Sequence, residues 1–407
     1  MTLIKMVLKM RQLSSIIALF LILILNAKPV SAQITTGDLT GEVNTITSAV
    51  PFLMIAPDSR SGAMGDVGVA LSPDANSMHW NPAKYAFAPN DMGFSISYTP
   101  WLRELIPDIN LAYLSGYKRI DKDQVIGFSM LYFSLGNITF TDIVGNTAGG
   151  FNPNEFALAL AYARSFSDRF SGGLTFRYIY SNLTGGQFVG GMESNAGQAY
   201  AADISLFYQN EDLIAGNYDA TFAWGLNLSN IGSKISYQQN SDKDFIPMNM
   251  RLGAAYSIDF DDYNSLTIAA DVNKMLVPTP PIYYNDSLDI NGDPIIEFGK
   301  DPNVSVPVGI FQSFYDAPLG MREELNEFTF SVGLEYWYAK QFAIRGGYFH
   351  EHATKGNRKY FTLGIGLRLN VFGLDFAYLV PIHQNNPLAN TLRFSLLFDI
   401  EGLNNSR

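Results

Sequence analysis

Eight charged residues stand where an extended chain would turn them away from solvent. Asp203, Arg251, Asp271, Glu335, Arg345, Arg368, Asp375 and Arg393 fall on the small-residue faces of alternating segments, so successive large apolar neighbours point the other way. Both signs occur, so the chemistry they suggest first is ion pairing across a shared interior; a selective pore lining is the alternative. Metal chemistry is less well supplied. His350 and His352 lie two apart and would share one face of a strand, but no third ligand accompanies them, and solvated loop histidines are the default. Asp286, Asp289, Asn291 and Asp293 could gather Ca²⁺, yet their spacing misses the EF-hand and the sixth loop position is not glycine. No Gly-x-Ser-x-Gly elbow exists, and no Ser, His and Asp set assembles on one rim. The expectation is therefore no catalytic residue, no cofactor and no resident metal.

The elements that must position these charges are strands. In Phe156, Leu158, Leu160 and Tyr162 the large apolar side chains share one face, while Ala157, Ala159, Ala161 and Ala163 occupy the other. Leu392, Phe394, Leu396, Phe398 and Ile400 alternate with Thr391, Arg393, Ser395 and Asp399, leaving only Leu397 out of pattern. One face suits lipid and the other a watery lumen, which is the pattern of a transmembrane β-barrel. The spacing predicts an all-β fold, a transmembrane antiparallel β-barrel of about fourteen strands. They are placed near 91–100, 109–120, 123–135, 154–166, 169–181, 197–210, 220–230, 247–260, 263–275, 325–339, 341–351, 358–370, 371–381 and 391–400. Short connections such as 118–123 and 339–341 alternate with long ones such as 136–153, 182–196, 231–246 and 276–324. Barrels of this kind keep short turns in the periplasm and long loops outside, so an even strand count puts both the N- and the C-terminus in the periplasm.

The N-terminus sets the compartment. Lys5, Lys9 and Arg11 precede an apolar run from Ile16 to Leu25, then Val30, Ser31 and Ala32 form a small-residue cleavage pattern. Residues 1–32 read as a signal peptide, 33–90 as an arm and hatch, and 91–407 as the barrel. Loss of Lys5, Lys9, Arg11 and Lys28 with the signal takes the formal charge from −11 to −15, which argues against nucleic acid as a partner. Absence of Cys removes disulfides, thiol chemistry and a cysteine lipid anchor. The high share of Tyr and Phe suits aromatic girdles at the two membrane interfaces, and outer-membrane lipid is an expected neighbour.

Between signal and barrel the alternation is missing. Residues 35–42 read as a polar arm, 59–68 as a glycine-rich turn and 74–83 as a short helix, making a hatch. Gly62, Gly65 and Gly68 lack the flanking strand and the Lys of a phosphate loop, and tight packing inside a barrel explains them better. Asp58 and Arg60 are candidate partners for the lumenal charges. Outside the barrel, residues 276–284 combine Pro280 and Pro281 with Ile282, Tyr283 and Tyr284, either as a recognition loop or as a lid folded over the barrel mouth. Trp101, Leu102, Leu105 and Ile106 touch a partner or, by preference, anchor at the membrane interface. Residues 321–327 read as a short helical return, with Glu323, Glu324 and Glu327 on a solvated acidic face.

The run from Gly62 through Val69 and Ala70, followed by Asn76 and His79-Trp80-Asn81-Pro82-Ala83, resembles the N-terminal hatch of the FadL-like outer-membrane barrels. With Ser48-Ala49-Val50-Pro51-Phe52-Leu53 and Asp58-Ser59-Arg60 added, the mature chain is similar throughout to the PorV family of the Bacteroidetes type IX secretion system. That resemblance implies an outer-membrane component which binds the C-terminal signal domain of cargo at an SprA-like translocon. It then delivers the cargo to a surface attachment complex with a PorU-type sortase. Two other classes stay open. A FadL-type transporter of hydrophobic small molecules needs an apolar pocket by the hatch and a lateral opening, for which Ser134-Leu135-Gly136-Asn137 could kink the third strand or merely end it. A lipid-directed enzyme needs a nucleophile and base that the sequence does not offer.

Overall fold

Fourteen antiparallel strands close into one barrel in the computed structural model. The structure describes residues 43–400 apart from 104, 105, 107, 142, 143, 145, 187, 190, 191, 239–242, 289–293, 384 and 385. The signal, the polar arm, Leu105 and most of the Asp286–Asp293 set lie outside the described residues. The wall comprises β1 (Met92–Pro100), β2 (Asn110–Arg119), β3 (Gln124–Ser134), β4 (Asn154–Ser167), β5 (Phe170–Asn182), β6 (Gly197–Ala215) and β7 (Tyr218–Gly232). It continues through β8 (Asn249–Asp259), β9 (Asn264–Met275), β10 (Thr329–Tyr338), β11 (Phe342–His350), β12 (Lys359–Leu369), β13 (Phe372–Pro381) and β14 (Leu392–Ile400). Closure runs from Met92 opposite Ile400 to Tyr98 opposite Phe394. All fourteen fall where the alternation predicts, with β6 extending further than expected, to Ala215.

Period two sorts the wall into two surfaces. Leu160 is 67% exposed and Phe176 56%, whereas Ala159, Ala161 and Ala163 are buried. Large side chains outside need a hydrocarbon solvent, and every backbone group in such a solvent must be paired, which a closed sheet achieves. The inner face is drier than a watery lumen. Ala159, Ala161 and Ala163 pack on Met78, Tyr85 and Ala88, so their small size makes room for the hatch and not for water.

Among the described residues the hatch has two α-helical pieces. Helix α1 (Ser59–Gly62) is capped by Asp58, whose Oδ2 accepts from the Ser61 N–H at 2.9 Å. Helix α2 spans only Ser77–Trp80, shorter than the expected 74–83. Asn81 breaks it with extended backbone, and its side chain then accepts from the Ala83 N–H to start a 3₁₀ turn over Pro82–Phe87, with Pro82 in the first position. The described chain begins at the long-loop end of the barrel, where the Asn44 N–H donates to the Thr354 carbonyl and the Ala49 N–H to that of Phe245. It ends its passage at the short-turn end, where Arg119 donates to the Ala88 carbonyl at 2.6 Å. The hatch therefore threads the barrel from mouth to base. The start of β1 and the end of β14 lie together at the short-turn end, while the two chain termini lie outside the described residues.

Hatch and wall backbones approach most closely at Gly347. Gly65 takes a positive φ of 71°, and a Cβ on Gly347 of β11 would stand 2.1 Å from the Met64 carbonyl carbon. Gly347→Ala should thus destabilise by about 1–3 kcal/mol through overpacking. Gly346→Ala, with nothing nearer than 3.8 Å, should be neutral, and thermal unfolding of the two variants in detergent compares them directly.

Candidate functional site

Two charge clusters, one inside the wall and one at the mouth, decide what the barrel can do. The inner one is a ladder of alternating sign. Arg60 of the hatch donates through Nη2 to Glu335 Oε1 at 2.8 Å and through Nε to Oε2 at 3.0 Å, and its Nη1 reaches Asp74 Oδ2 at 3.0 Å. Arg345 bridges Glu335 and Asp375, each at 2.7 Å, and Arg368 closes the row with two bonds to Asp375. Three guanidinium groups meet three carboxylates, so the ladder is neutral, which a buried set must approach. Glu335, Arg345 and Asp375 are each at most 1% exposed.

The remaining lumenal charges hold other parts of the hatch. Asp271 Oδ2 accepts from the N–H groups of Gly68 and Val69 at 2.7 and 3.1 Å. Arg251 lies 4.7 Å from the Trp80 ring centroid. Arg393 donates to Asp66 at 3.2 Å. Asp203 sits at a break in register between β6 and β7, accepting from the Asn230 N–H at 2.7 Å and from Arg177 at 2.8 Å, while Arg177 also donates to the Asn230 side chain. Asp58 joins no lumenal cation by a direct bond; its Oδ1 accepts from Trp80 Nε1 at 2.6 Å, linking α1 to α2. Asn81 donates to the Val69 and Leu206 carbonyls, Ala83 donates to Ser205 Oγ, and the Ala83 carbonyl accepts from Ser171. The Asn81-Pro82-Ala83 triplet is thus a three-way pin between hatch, β5 and β6. Sequence reading missed Arg177 and Lys84. Arg177 carried a signal, since it stands in one row with Thr175 and Ile179 on the inner face of β5, alternating with Phe176 and Tyr178. Lys84 carried none, because its partner is the Gly68 carbonyl at 2.7 Å.

A cavity of about 10 Å³ beside Leu53, His79, Tyr113, Leu131, Ala159 and Arg177 has space for about one water molecule. The wall at β3 is continuous. Its pairing with β4 runs unbroken from Gln124 opposite Arg164 to Ser134 opposite Asn154, so Ser134-Leu135-Gly136-Asn137 ends the strand and opens no gap.

At the mouth stands the second cluster. Residues 276–328 hold a hairpin (Ile282–Leu288 against Pro294–Phe298), helix α3 (Val306–Gln312) and helix α4 (Met321–Asn326). The hairpin was not foreseen. Glu323, Glu324 and Glu327 are buried, correcting the solvated acidic face: Lys274 Nζ reaches Glu327 at 2.6 Å and Glu324 at 3.3 Å, and Lys355 Nζ reaches Glu323 at 2.6 Å and Glu327 at 3.0 Å. Thr279 donates to Glu327, and Asn44 donates to both Glu323 and the Pro280 carbonyl. Burial, reinforced by Glu324 and Glu327, pushes the nearby Asp316 carboxyl up to about 6.

The recognition and lid readings of the long loop divide along its length. Leu276 and Val277 are buried with Phe52 and Phe245, Pro280 and Ile282 are half-buried and Pro281 is buried, while Tyr283 and Tyr284 are 45% and 50% exposed. Trp101 and Leu102 fold inward over Phe349, Tyr360, Leu379 and Leu388, so they close the mouth instead of facing lipid. His352 caps a 3₁₀ turn through Thr354, and the described residues contain no group of three His, Cys, Asp or Glu that could hold a metal.

A family model described as "Type IX secretion system protein PorV" matches residues 39–282. No curated protein matches the chain. Among solved structures, the toluene transporter TodX of P. putida is 12% identical, covering 85% of this chain and 99% of that one, with a TM-score of 0.47. The toluene transporter TbuX of Ralstonia pickettii is 11% identical over 84% and 98%, at 0.44, and a Pseudomonas aeruginosa FadL homologue 11% identical over 88% and 99%, at 0.40.

Two outcomes follow from the inner cluster. Arg60→Ala leaves Glu335 short of a partner at a cost of about 3–5 kcal/mol, and planar-bilayer conductance should rise as the hatch loosens; an unchanged, closed barrel would show that the ladder does not hold it. Burial foremost, with Asp74 adding, pushes the Asp58 carboxyl up to about 6 from 3.8. Because the folded state then binds the proton more tightly, this group's contribution to stability is greatest at low pH and falls as pH rises from about 4 to about 6. Melting curves of Asp58→Asn should lack that slope.

Proposed function

Because the chain belongs to the PorV family of the type IX secretion system and is an outer-membrane β-barrel of that system, we propose that it is the carrier in that route. It binds the C-terminal signal domain of cargo at an SprA-like translocon and brings it to the attachment complex with its PorU-type sortase. The observation that carries this reading is the combination of a pinned hatch with an exposed aromatic hairpin on the long-loop side. A lumen occupied from mouth to base by the hatch offers no passage for a protein, so contact with cargo falls to the outer surface. There Tyr283 and Tyr284 project from a base fixed by buried prolines and ion pairs, which lowers the ordering cost of binding. In this reading the short turns and the C-terminal end face the periplasm, and the hatch begins at the external mouth.

A transporter of hydrophobic small molecules is the weaker reading, since the unbroken β3 seam offers no lateral exit there and the cavity beside His79 admits no such ligand. Affinity purification of the tagged protein from its native outer membrane, with mass spectrometry of what survives mild detergent, tests the proposal. Wild type should retain translocon, sortase or cargo bearing C-terminal signal domains. Tyr283→Ala with Tyr284→Ala should lose cargo, since an aromatic hot spot is worth about 2 kcal/mol, roughly 30-fold in affinity. Recovery of the barrel with only an apolar small molecule would reject the carrier role.

A further inference from the structure

The segment from Val306 to Asn326 is folded inside out. Val308, Phe311, Tyr315, Leu319, Met321 and Leu325 are between 49% and 71% exposed, while Gln312, Ser313, Asp316, Glu323 and Glu324 are buried. A helical segment facing water turns the opposite sets inward and outward, so this one is built for an apolar exterior.

What lies outside it is fixed by Lys274. On β9, Ala269 packs against the hatch and Asp271 bonds to it, so both point inward. The alternate residues Ile268, Ala270 and Val272 therefore point outward, and Lys274 is next in that outward row. The register there is unbroken: Arg251, which faces Trp80 inside, pairs with Asn273, and Met250 pairs with Lys274. Lys274 thus leaves the wall on its lipid side, yet it is only 1% exposed. Glu324 and Glu327 cover it, with the Phe314 and Phe328 rings 5.5 and 5.3 Å from its Nζ. Helix α4 accordingly hangs over the outer surface of the wall. Phe330 and Val332, outward residues of β10 at 47% exposure each, continue the same apolar surface downward. Arg322, the exposed charge of the segment, is basic, as an interfacial residue beside lipid phosphate should be.

We propose that residues 306–326 form a ledge lying in the outer-leaflet interface, with Phe311, Leu319, Met321 and Leu325 in lipid and the Lys274–Glu324–Glu327 cluster shielded beneath. This assignment stands apart from the carrier role. The ledge holds the hairpin at a set height above the membrane, whatever the hairpin binds.

The chain has no cysteine, so single-cysteine variants report one site each. Phe311→Cys and Leu325→Cys, spin-labelled on the full barrel in phosphatidylcholine vesicles, are to be read by collision with oxygen, which concentrates in lipid, and with a water-soluble nickel chelate. Ile268→Cys on the lipid-facing wall is the reference. Both ledge labels should match that reference, with high oxygen and low nickel accessibility. Nickel accessibility at either ledge site would place it in water and overturn the proposal. Shielding from both reagents would also overturn it, by seating the ledge against protein. Heat-modified mobility on gels verifies folding of each variant, and two independent sites keep one failed variant from deciding the result.

Discussion

Lumenal charge must be paired, and the pairing of Arg60 with Glu335 is the contact on which the rest of the inner structure depends. Arg60 is the hatch residue that enters the ladder of wall charges: Glu335, Arg345, Asp375 and Arg368 balance among themselves, and Arg60, balanced by Asp74, gives Glu335 its second guanidinium partner. In a dry interior, removing one partner from such a set costs several kcal/mol. Glu335 therefore holds the hatch through Arg60, while the hatch needs the wall to bury Met64, Val67, Ala70 and Leu71. A fold that satisfies both cannot also keep a wide pore. Closure is a consequence of charge pairing as much as of shape.

The wall was legible because its two solvents are so unlike. Lipid outside and a packed hatch inside impose period two on every strand, and all fourteen follow it. The eight inward charges were legible for the same reason, since parity alone assigns them to the inner face. What parity cannot assign is the partner. Glu323, Glu324 and Glu327 look solvated as a local acidic run, because Lys274 stands about fifty residues before them and Lys355 about thirty after. The hatch helix was drawn too long because its stop lies in Asn81, whose side chain reaches Val69, Leu206 and Ala83 at once. The hairpin of Ile282–Leu288 was lost because Pro280 and Pro281 advertise a turn, and its pairing is irregular.

The mouth shows how a long excursion can be ordered without a sheet to join. Asn44, at the beginning of the described chain, donates to Pro280 and Glu323, so the hatch and the long loop are tied before the hatch enters the barrel. Thr279, Asp316 and Glu324 extend that tie through backbone N–H groups, satisfying donors that a 50-residue loop would otherwise leave to water. Hatch, loop base and the Phe245 loop then share one apolar cluster with Phe52 and Leu276.

Inward charge and the mouth cluster meet on one strand and answer different needs. On β9, Asp271 points in and holds Gly68, while Lys274 points out and holds α4, three residues further along. One strand thereby couples the plug to the external ledge through a rigid, fully paired sheet. An outward Lys near the rim could snorkel to water unaided, so solvating Lys274 does not by itself require the second cluster. Burying it under two carboxylates costs desolvation, and the return is a fixed orientation for the hairpin above. The same expenditure on the inner side fixes the hatch shut. Both are what the proposed carrier role needs: a closed lumen and a contact surface on the exterior of the membrane.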